Sequence, residues 1–292
     1  MSALYRLSGF SKQNFHQRVR RAEFYMEELV QIEWLIYQIR DEHPRMGQSK
    51  LYRMLQPKFM GRDRFAAFYR EKGFSLEQSR NYKRTTDSSG VVRFPNCIDA
   101  LDVTHVNQVW VSDITYYQID KVFYYLTFIM DRHSRSILGY QASRRMLTSD
   151  TTIPALKMAY QYLNSEDDKP ILHSDGGGQY YSKAFLALTR DRCINSMATL
   201  VYENIHAERI NGTIKNEYLK PWNPRSFPSL QKKLHRAVRN YNYNRPHQAL
   251  NYQPPAHLFI EGLRRANKTS ILVNNSKSIY KPGDKMVNSI QG

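Results

Sequence analysis

Between Trp110 and Ser143 the chain strings three β-branched and aromatic runs together: Trp110 to Tyr117, Val122 to Met130, and Ser136 to Ser143. The links between them, around Asp120 and from Asp131 to Arg135, are only about five residues long, and links that short force antiparallel pairing. The pattern then changes. A helical period covers Thr151 to Leu163 (Ile153, Leu156, Tyr160, Leu163), followed by a short strand Ile171 to Ser174, a helix Lys183 to Arg192 and a strand candidate near Ile194 to Met197. Connections through helices of that length return the chain in parallel. The order βββαβα therefore predicts an α/β domain with a mixed five-stranded sheet. Further helices are predicted from about Asn204 to Lys215 and from Ser229 to Tyr243.

Ahead of this domain the pattern is helical. Tyr25, Leu29, Ile32, Ile36 and Ile39 recur at steps of four and three, which predicts a helix over 21–41, read as a packed helix or a short coiled-coil seam. Two shorter helices follow: Gln48 to Gln56, with Leu51, Met54 and Leu55 on one face, and Arg62 to Lys72, with Phe65, Phe68 and Tyr69 on one face and Gly73 as its cap. They make a small all-α, helix-turn-helix-like module over about 35–75. Arg62, Arg64, Arg70 and Lys72 lie off its apolar stripe, where they can reach phosphates or a major groove. Apolar periodicity disappears from Arg80 to Gly90, which marks a linker. The predicted division is a helical DNA-binding module with linker over 1–90, a central domain over 100–262 and a basic tail over 263–292.

Charge follows this division. The net charge of +17 is spread as +7 over residues 1–100, 0 over 101–200 and +10 over 201–292. A basic excess of this size implies a polyanionic partner, nucleic acid above all. A neutral centre that keeps its carboxylates between two basic ends suits a metal-dependent site flanked by DNA-gripping segments. Two cysteines, Cys97 and Cys193, are too few for a disulfide framework or a Cys-rich zinc site. No apolar run approaches the roughly 20 residues of a membrane span, and no secretory signal opens the chain, so the expected location is the cytoplasm.

The chemistry centres on carboxylates. Asp113 lies in the first strand and Asp175 directly follows the fourth, in His173-Ser174-Asp175-Gly176-Gly177-Gly178. If those strands are neighbours, the two acids meet at one end of the sheet and repel each other unless a cation lies between them. Hard oxygen ligands suit Mg²⁺ or Mn²⁺, and a pair of such ions can serve an attacking and a leaving oxygen at phosphorus. A third carboxylate is expected from the next helix. At about 100° per residue, Glu203 lies about 140° and Glu217 about 180° from Glu208, so only one can face the metals. The choice is Glu208, with Lys215 two turns along the same face, where it can hold a phosphate, and Glu217 as a surface charge.

Several segments together look like one family. They are Asn107-Gln-Val-Trp110-Val-Ser-Asp113-Ile-Thr-Tyr116, Asp131-Arg-His-Ser134-Arg135, His173-Ser-Asp175-Gly-Gly-Gly-Gln179-Tyr180, Ser196-Met197 and Tyr202-Glu-Asn204-Ile-His-Ala-Glu208. Met46 to Leu55, Tyr241-Asn-Tyr-Asn-Arg245-Pro246-His247-Gln-Ala-Leu250 and Pro254-Pro255 extend the likeness to roughly residues 35–262. The chain resembles the transposases of the insertion-sequence-three family, and in particular their downstream-frame product. The resemblance implies an RNase H-like, retroviral-integrase-like core with a DDE triad at Asp113, Asp175 and Glu208. It also implies two Mg²⁺ ions, for which Mn²⁺ can substitute. The activity implied is cleavage of transposon ends by water and strand transfer into target DNA by a 3′-hydroxyl. Its partners would be DNA, other copies of the chain and an upstream-frame DNA-binding protein, in a bacterial, nucleoid-associated setting. Two departures stand out: Glu203 replaces the usual Asp before Asn204, and the stretch between Asp175 and Glu208 is a few residues short.

Other positions carry lesser expectations. Asp120 and Asp131 read as turn residues, Gly176 to Gly178 as close backbone packing beside Asp175, and Trp110 as core. His173 and Arg245 are candidate DNA contacts, and His206 is expected on the surface of its helix. An RNase H-like nuclease without strand transfer, or a non-catalytic DNA-binding regulator, are the alternative readings.

Overall fold

The computed structural model describes residues 11–77, 94–163, 168–198 and 204–266. The predicted linker at 80–90, Glu203 and most of the tail, from 267 on, lie outside the described residues. The central domain holds one five-stranded sheet. Its strands are β1 (Val109–Ile119), β2 (Val122–Asp131), β3 (Ile137–Ser143), β4 (Ile171–Ser174) and β5 (Ile194–Met197). Their order is β3-β2-β1-β4-β5, antiparallel from β1 to β3 and parallel from β1 through β4 to β5, as the link lengths dictate. This mixed sheet flanked by helices is the RNase H-like arrangement, and the predicted fold class is borne out. The β1–β2 link is a two-residue turn, with Asp120 at φ 53°, a conformation Asp tolerates.

Alternation along the strands divides two cores between the faces of the sheet. Val109, Val111, Phe128 and Met130 face α6 (Ile205–Thr213) and α7 (Phe227–Tyr243), packing on Ala207, Ile210, Leu230, Leu234 and Tyr241. Trp110, Ile129, Leu138 and Leu172 face the other way, onto α4 (Thr152–Ala159), Phe185 of α5 (Lys183–Thr189) and Phe259 of a helical stretch over 255–266. Trp110 is fully buried, as predicted. Close packing of β3 on α4 depends on Gly139, where a Cβ would lie 2.0 Å from the Ala155 carbonyl oxygen. Ser182 and Ser226 cap α5 and α7, accepting from Phe185 N at 3.2 Å and Ser229 N at 3.3 Å.

Beyond Thr213 the chain stays helical through a wide π turn, Ile214–Leu219, and on to Trp222. The prediction ended this helix near Lys215 because propensity patterns do not register π turns. At the N-terminal side α1 (Lys12–Glu42), α2 (Gln48–Leu55) and α3 (Arg62–Glu71) enclose a third core of Ile32, Ile36, Met46, Leu51, Phe65, Phe68 and Phe74. Gly73 follows α3 at φ 71°, as its predicted cap role requires. The end of α1 docks on the central domain. Glu42 takes hydrogen bonds from Arg236 and Asn240, Asp41 pairs with Arg236 at 2.8 Å, and His43 Nδ1 lies 2.9 Å from the Tyr218 hydroxyl.

Candidate active site

The parallel register places Val109 beside Ile171 and Val111 beside His173. Extending it by one pleat sets Asp113 against Asp175, just beyond the last residue of β4, on the sheet face that α6 covers. Asp113 Oδ1 accepts from Ile114 N at 2.8 Å, and Oδ2 accepts from Asn211 Nδ2 at 2.6 Å. Asp175 Oδ1 accepts from Gly177 N at 3.2 Å. A Cβ at Gly177 would lie 3.0 Å from that oxygen and one at Gly176 would lie 3.1 Å from the Met197 side chain, whereas one at Gly178 would meet nothing within 4 Å, so of the glycine run only Gly177 packs closely beside the acid. Glu208 is exposed in the first turn of α6.

Electrostatics couples the three acids. Burial, and then the charge of Asp175, push Asp113 up to about 7, with Glu208 adding to the shift and Lys215 opposing it. Burial likewise raises Asp175. Among the described residues no three His, Cys, Asp or Glu side chains close into a metal-binding cluster. The donor set nonetheless suits a hard cation. It consists of carboxylate oxygens whose mutual repulsion a positive ion relieves, and the buried Oδ1 atoms of Asn204 and Asn211 close by lack hydrogen-bond partners among the described residues.

Sequence reasoning missed the residues that brace these acids. Asn211, one turn after Glu208 and on the same helix face, orients Asp113; the three-residue spacing was the available signal. Asn204 Nδ2 donates to the Ser112 carbonyl at 3.1 Å, tying the start of α6 to β1. On the opposite sheet face, Ser112 Oγ lies 2.8 Å from the hydroxyl of buried Tyr180. Lys215 is on the predicted face, where its Nζ donates to Thr115 Oγ1 at 2.6 Å and lies 5.5 Å from the Tyr116 ring centre. Burial lowers its pKa, while Asp113 opposes the shift.

Other expectations need correction. Arg245, expected at DNA, turns inward: its side chain is 8% exposed and makes two 2.7 Å hydrogen bonds to Glu217. Glu217 is correspondingly no surface charge, and Lys50 of α2 lies 3.6 Å from it on the other side. His173, expected at DNA, is fully buried, with Nδ1 3.0 Å from Ser196 Oγ on the adjacent strand. His206 is half-buried rather than on the surface; Arg135 Nη1 donates to its Nδ1 at 2.7 Å, and burial pushes its pKa down to about 4. Asp131, expected in a turn, is the last residue of β2, directly before the turn, and a buried acceptor from Asn107 N, Ser134 N and Ser134 Oγ. In the N-terminal module Arg62, Arg64 and Arg70 are exposed, whereas Lys72 is paired with Glu33 of α1.

Comparison with known proteins agrees with this architecture. The integrase core domain family matches residues 103–197, and a second integrase core domain family matches residues 185–255. A 31 kDa protein of insertion element IS600 from Shigella sonnei is 31% identical over 200 residues, covering 64% of this chain and 72% of that protein. Transposase InsF of insertion sequence IS3A from Escherichia coli is 31% identical over 157 residues, covering 52% of this chain and 54% of InsF. The chain thus spans little more than half the length of InsF, and 57% of relatives from Mycobacterium tuberculosis insertion elements. Among solved structures, the HTLV-2 integrase catalytic core domain in complex with magnesium aligns at a TM-score of 0.43 and 20% identity, over 52% of this chain and 96% of that domain. The chain belongs to the insertion-sequence-three family of transposases and carries that family's integrase-like catalytic core.

Proposed function

We propose that this chain is a DNA transposase that cleaves the ends of its element and joins them to target DNA, with Asp113, Asp175 and Glu208 as its catalytic carboxylates. The observation that carries the reading is the parallel register of β1 and β4, which sets Asp113, within β1, against Asp175, just past the end of β4, under the helix that bears Glu208. These three acids would hold Mg²⁺ or Mn²⁺, and the ions, when bound, would supply charge neutralisation at the attacked phosphate. The protein's part is positional. Asn211 fixes the rotation of the Asp113 carboxylate, Asn204 pins the start of α6 to β1, and the Thr115 hydroxyl holds the Lys215 ammonium beside the acids. In cleavage a water oxygen bonds to phosphorus as the bond to the 3′ oxygen breaks, freeing a 3′-hydroxyl. In transfer that hydroxyl bonds to a target phosphorus and displaces the target's own 3′ oxygen, which takes up a proton.

The same reading assigns the exposed Arg62, Arg64 and Arg70 of the N-terminal module to DNA backbone contacts, and makes the substrate two element ends gathered by at least two copies of the chain. An upstream-frame DNA-binding protein is a further partner, and the work is done at the nucleoid. No helix among the described residues is long and apolar enough to cross a membrane. The test is incubation of the protein with labelled duplexes carrying the element's terminal sequence in Mg²⁺ or Mn²⁺, with an EDTA control. Joined strands that vanish with EDTA and with Asp175→Ala are the expected result. Cleavage without joining favours the nuclease reading, and unchanged activity in Asp113→Asn, which should still bind DNA, refutes the triad.

A further inference from the structure

On the side of α6 turned away from Asp113 lies a cavity of about 80 Å³ whose lining includes Arg135, His206, Arg209, Thr213, Arg245 and His247. At about 100° per residue, His206 and Thr213 point roughly 140–160° from Glu208, so this pocket and the carboxylate site occupy different faces of one helix. Its lining contains three arginines and no carboxylate. Arg245 is engaged by Glu217, but neither Arg135 nor Arg209 has a carboxylate partner among the described residues. Arg135 is half-buried and spends one donor on the neutral His206 ring, and Arg209 stands at the exposed mouth. His247 Nδ1 is buried without a hydrogen-bond partner among the described residues. Burial and the surrounding arginines, Arg245 foremost, hold His247 down to about 4. Arg135 also sits at φ 66°, a conformation glycine or asparagine adopts more readily, so the turn keeps a guanidinium where backbone preference alone would choose otherwise.

We propose that this pocket binds one phosphate group of a DNA strand passing behind α6, gripped by Arg135 and Arg209. A half-buried cationic pocket without its own anion is completed by a ligand that brings one. A guanidinium fork matches phosphate oxygens in charge and in geometry. Room for several waters is room for one tetrahedral oxyanion and too little for a nucleobase beside it. The inference rests on the reading of the chain as a DNA-acting enzyme, but not on its carboxylates.

The test is fluorescence anisotropy of labelled duplex DNA with the full chain in EDTA, across a salt series, so that loss of chemistry cannot imitate loss of this contact. One phosphate contact fewer should lower the slope of log affinity against log salt by about one, equally for different sequences. That is the result expected for Arg209→Ala and for Thr213→Leu, which fills the pocket without changing its charge, while Arg209→Lys keeps most of the slope. Inorganic phosphate should raise the Tm of the wild type above a chloride control of matched ionic strength, and not that of Arg209→Ala. A slope that falls in Arg209→Ala but not in Thr213→Leu makes Arg209 a mere surface charge and overturns the pocket. A phosphate-dependent Tm with unchanged DNA slopes makes the ligand a free anion and overturns the DNA assignment. No response in either measurement overturns both.

Discussion

Replacing Arg245 with alanine tests whether this residue belongs to the fold or to DNA. Its guanidinium is 8% exposed and donates twice, at 2.7 Å, to a Glu217 carboxylate that is itself 25% exposed. Removing one partner of a buried pair leaves the other charge uncompensated, which typically costs 3–5 kcal/mol. Lys50, 3.6 Å from Glu217, remains to soften the loss, so the lower end, about 3 kcal/mol, is expected. At roughly 2–4 °C per kcal/mol for a domain of this size, Tm should fall by roughly 6–12 °C in a circular-dichroism melt. The pH dependence provides a second check. Burial alone would raise the pKa of Glu217, but its hydrogen bonds and proximity to Arg245, with help from Lys50, lower it below the ordinary 4.5. A lowered carboxylate contributes stability that is present above its unfolded value and lost as pH falls through the folded one. The gap between wild type and Arg245→Ala should therefore close in acid, below pH 4.5. Glu217→Leu combined with Arg245→Met should recover much of the loss, since an apolar pair of similar volume removes both charges together. A Tm for Arg245→Ala within a degree of wild type, accompanied by a shallower salt dependence of DNA binding, would refute this account and restore Arg245 as a phosphate contact.

Three further outcomes follow from the geometry. On the proposed function, Asn211→Ala should lower the cleavage rate roughly 10–100-fold, the usual effect of losing a partner that orients a metal ligand, while DNA affinity stays near wild type; a matching loss of DNA affinity would make Asn211 merely structural. Gly139→Ala should destabilise the central domain by at least 1–3 kcal/mol in denaturant unfolding, because its methyl would meet the Ala155 carbonyl and both β3 and α4 must shift. His43 is buried beside Tyr218, and burial pushes its pKa down to about 4. Unfolding frees it to take a proton below about 6.5, so stability should decline as pH falls from 6.5 towards 4, and His43→Gln should flatten that decline in melts at stepped pH.

How far such features could be read from sequence depended on the range of the interactions involved. Short links settled the antiparallel half of the sheet, and helix-length links the parallel half. The order of elements made β1 and β4 neighbours, and so brought Asp113 and Asp175 together. Ile171 to Ser174 and Ile194 to Met197 occupy the residues assigned to them. The failures are tertiary. Arg245 looked like a DNA contact because nothing local distinguishes a basic residue that reaches solvent from one that folds back 28 positions to a glutamate. Glu217 was misjudged for the same reason, from the other end of the same pair. His206 shares a helix with exposed residues, and it is enclosed by residues distant in sequence, Arg135 from the β2–β3 turn among them. Lys72 counted as a free cation because α1 was not yet known to place Glu33 beside it.

The helix that carries Glu208 explains why these misread residues belong to one system. Asn204, Glu208, Asn211 and Lys215 recur at steps of four, three and four, which keeps one edge of the helix on β1 and the carboxylates. A regular α-helix would simply repeat that edge. The π turn from Ile214 to Leu219 widens the spiral just where that edge ends at Lys215, and within it Glu217 and Tyr218 meet Arg245, Lys50 and His43 instead. Wide turns of this kind are uncommon and tend to occur where function needs a change of phase within one helix. Here the change of phase lets one continuous helix hold Glu208 at one end and grip the N-terminal helices at the other. A displacement of α2, or of the end of α1, should therefore reach Glu208 and Asn211 along this helix. Loosening that grip with Lys50→Ala, which removes the α2 contact to Glu217, should accordingly lower the rate of DNA cleavage while a circular-dichroism melt changes little; an unchanged rate would refute the coupling.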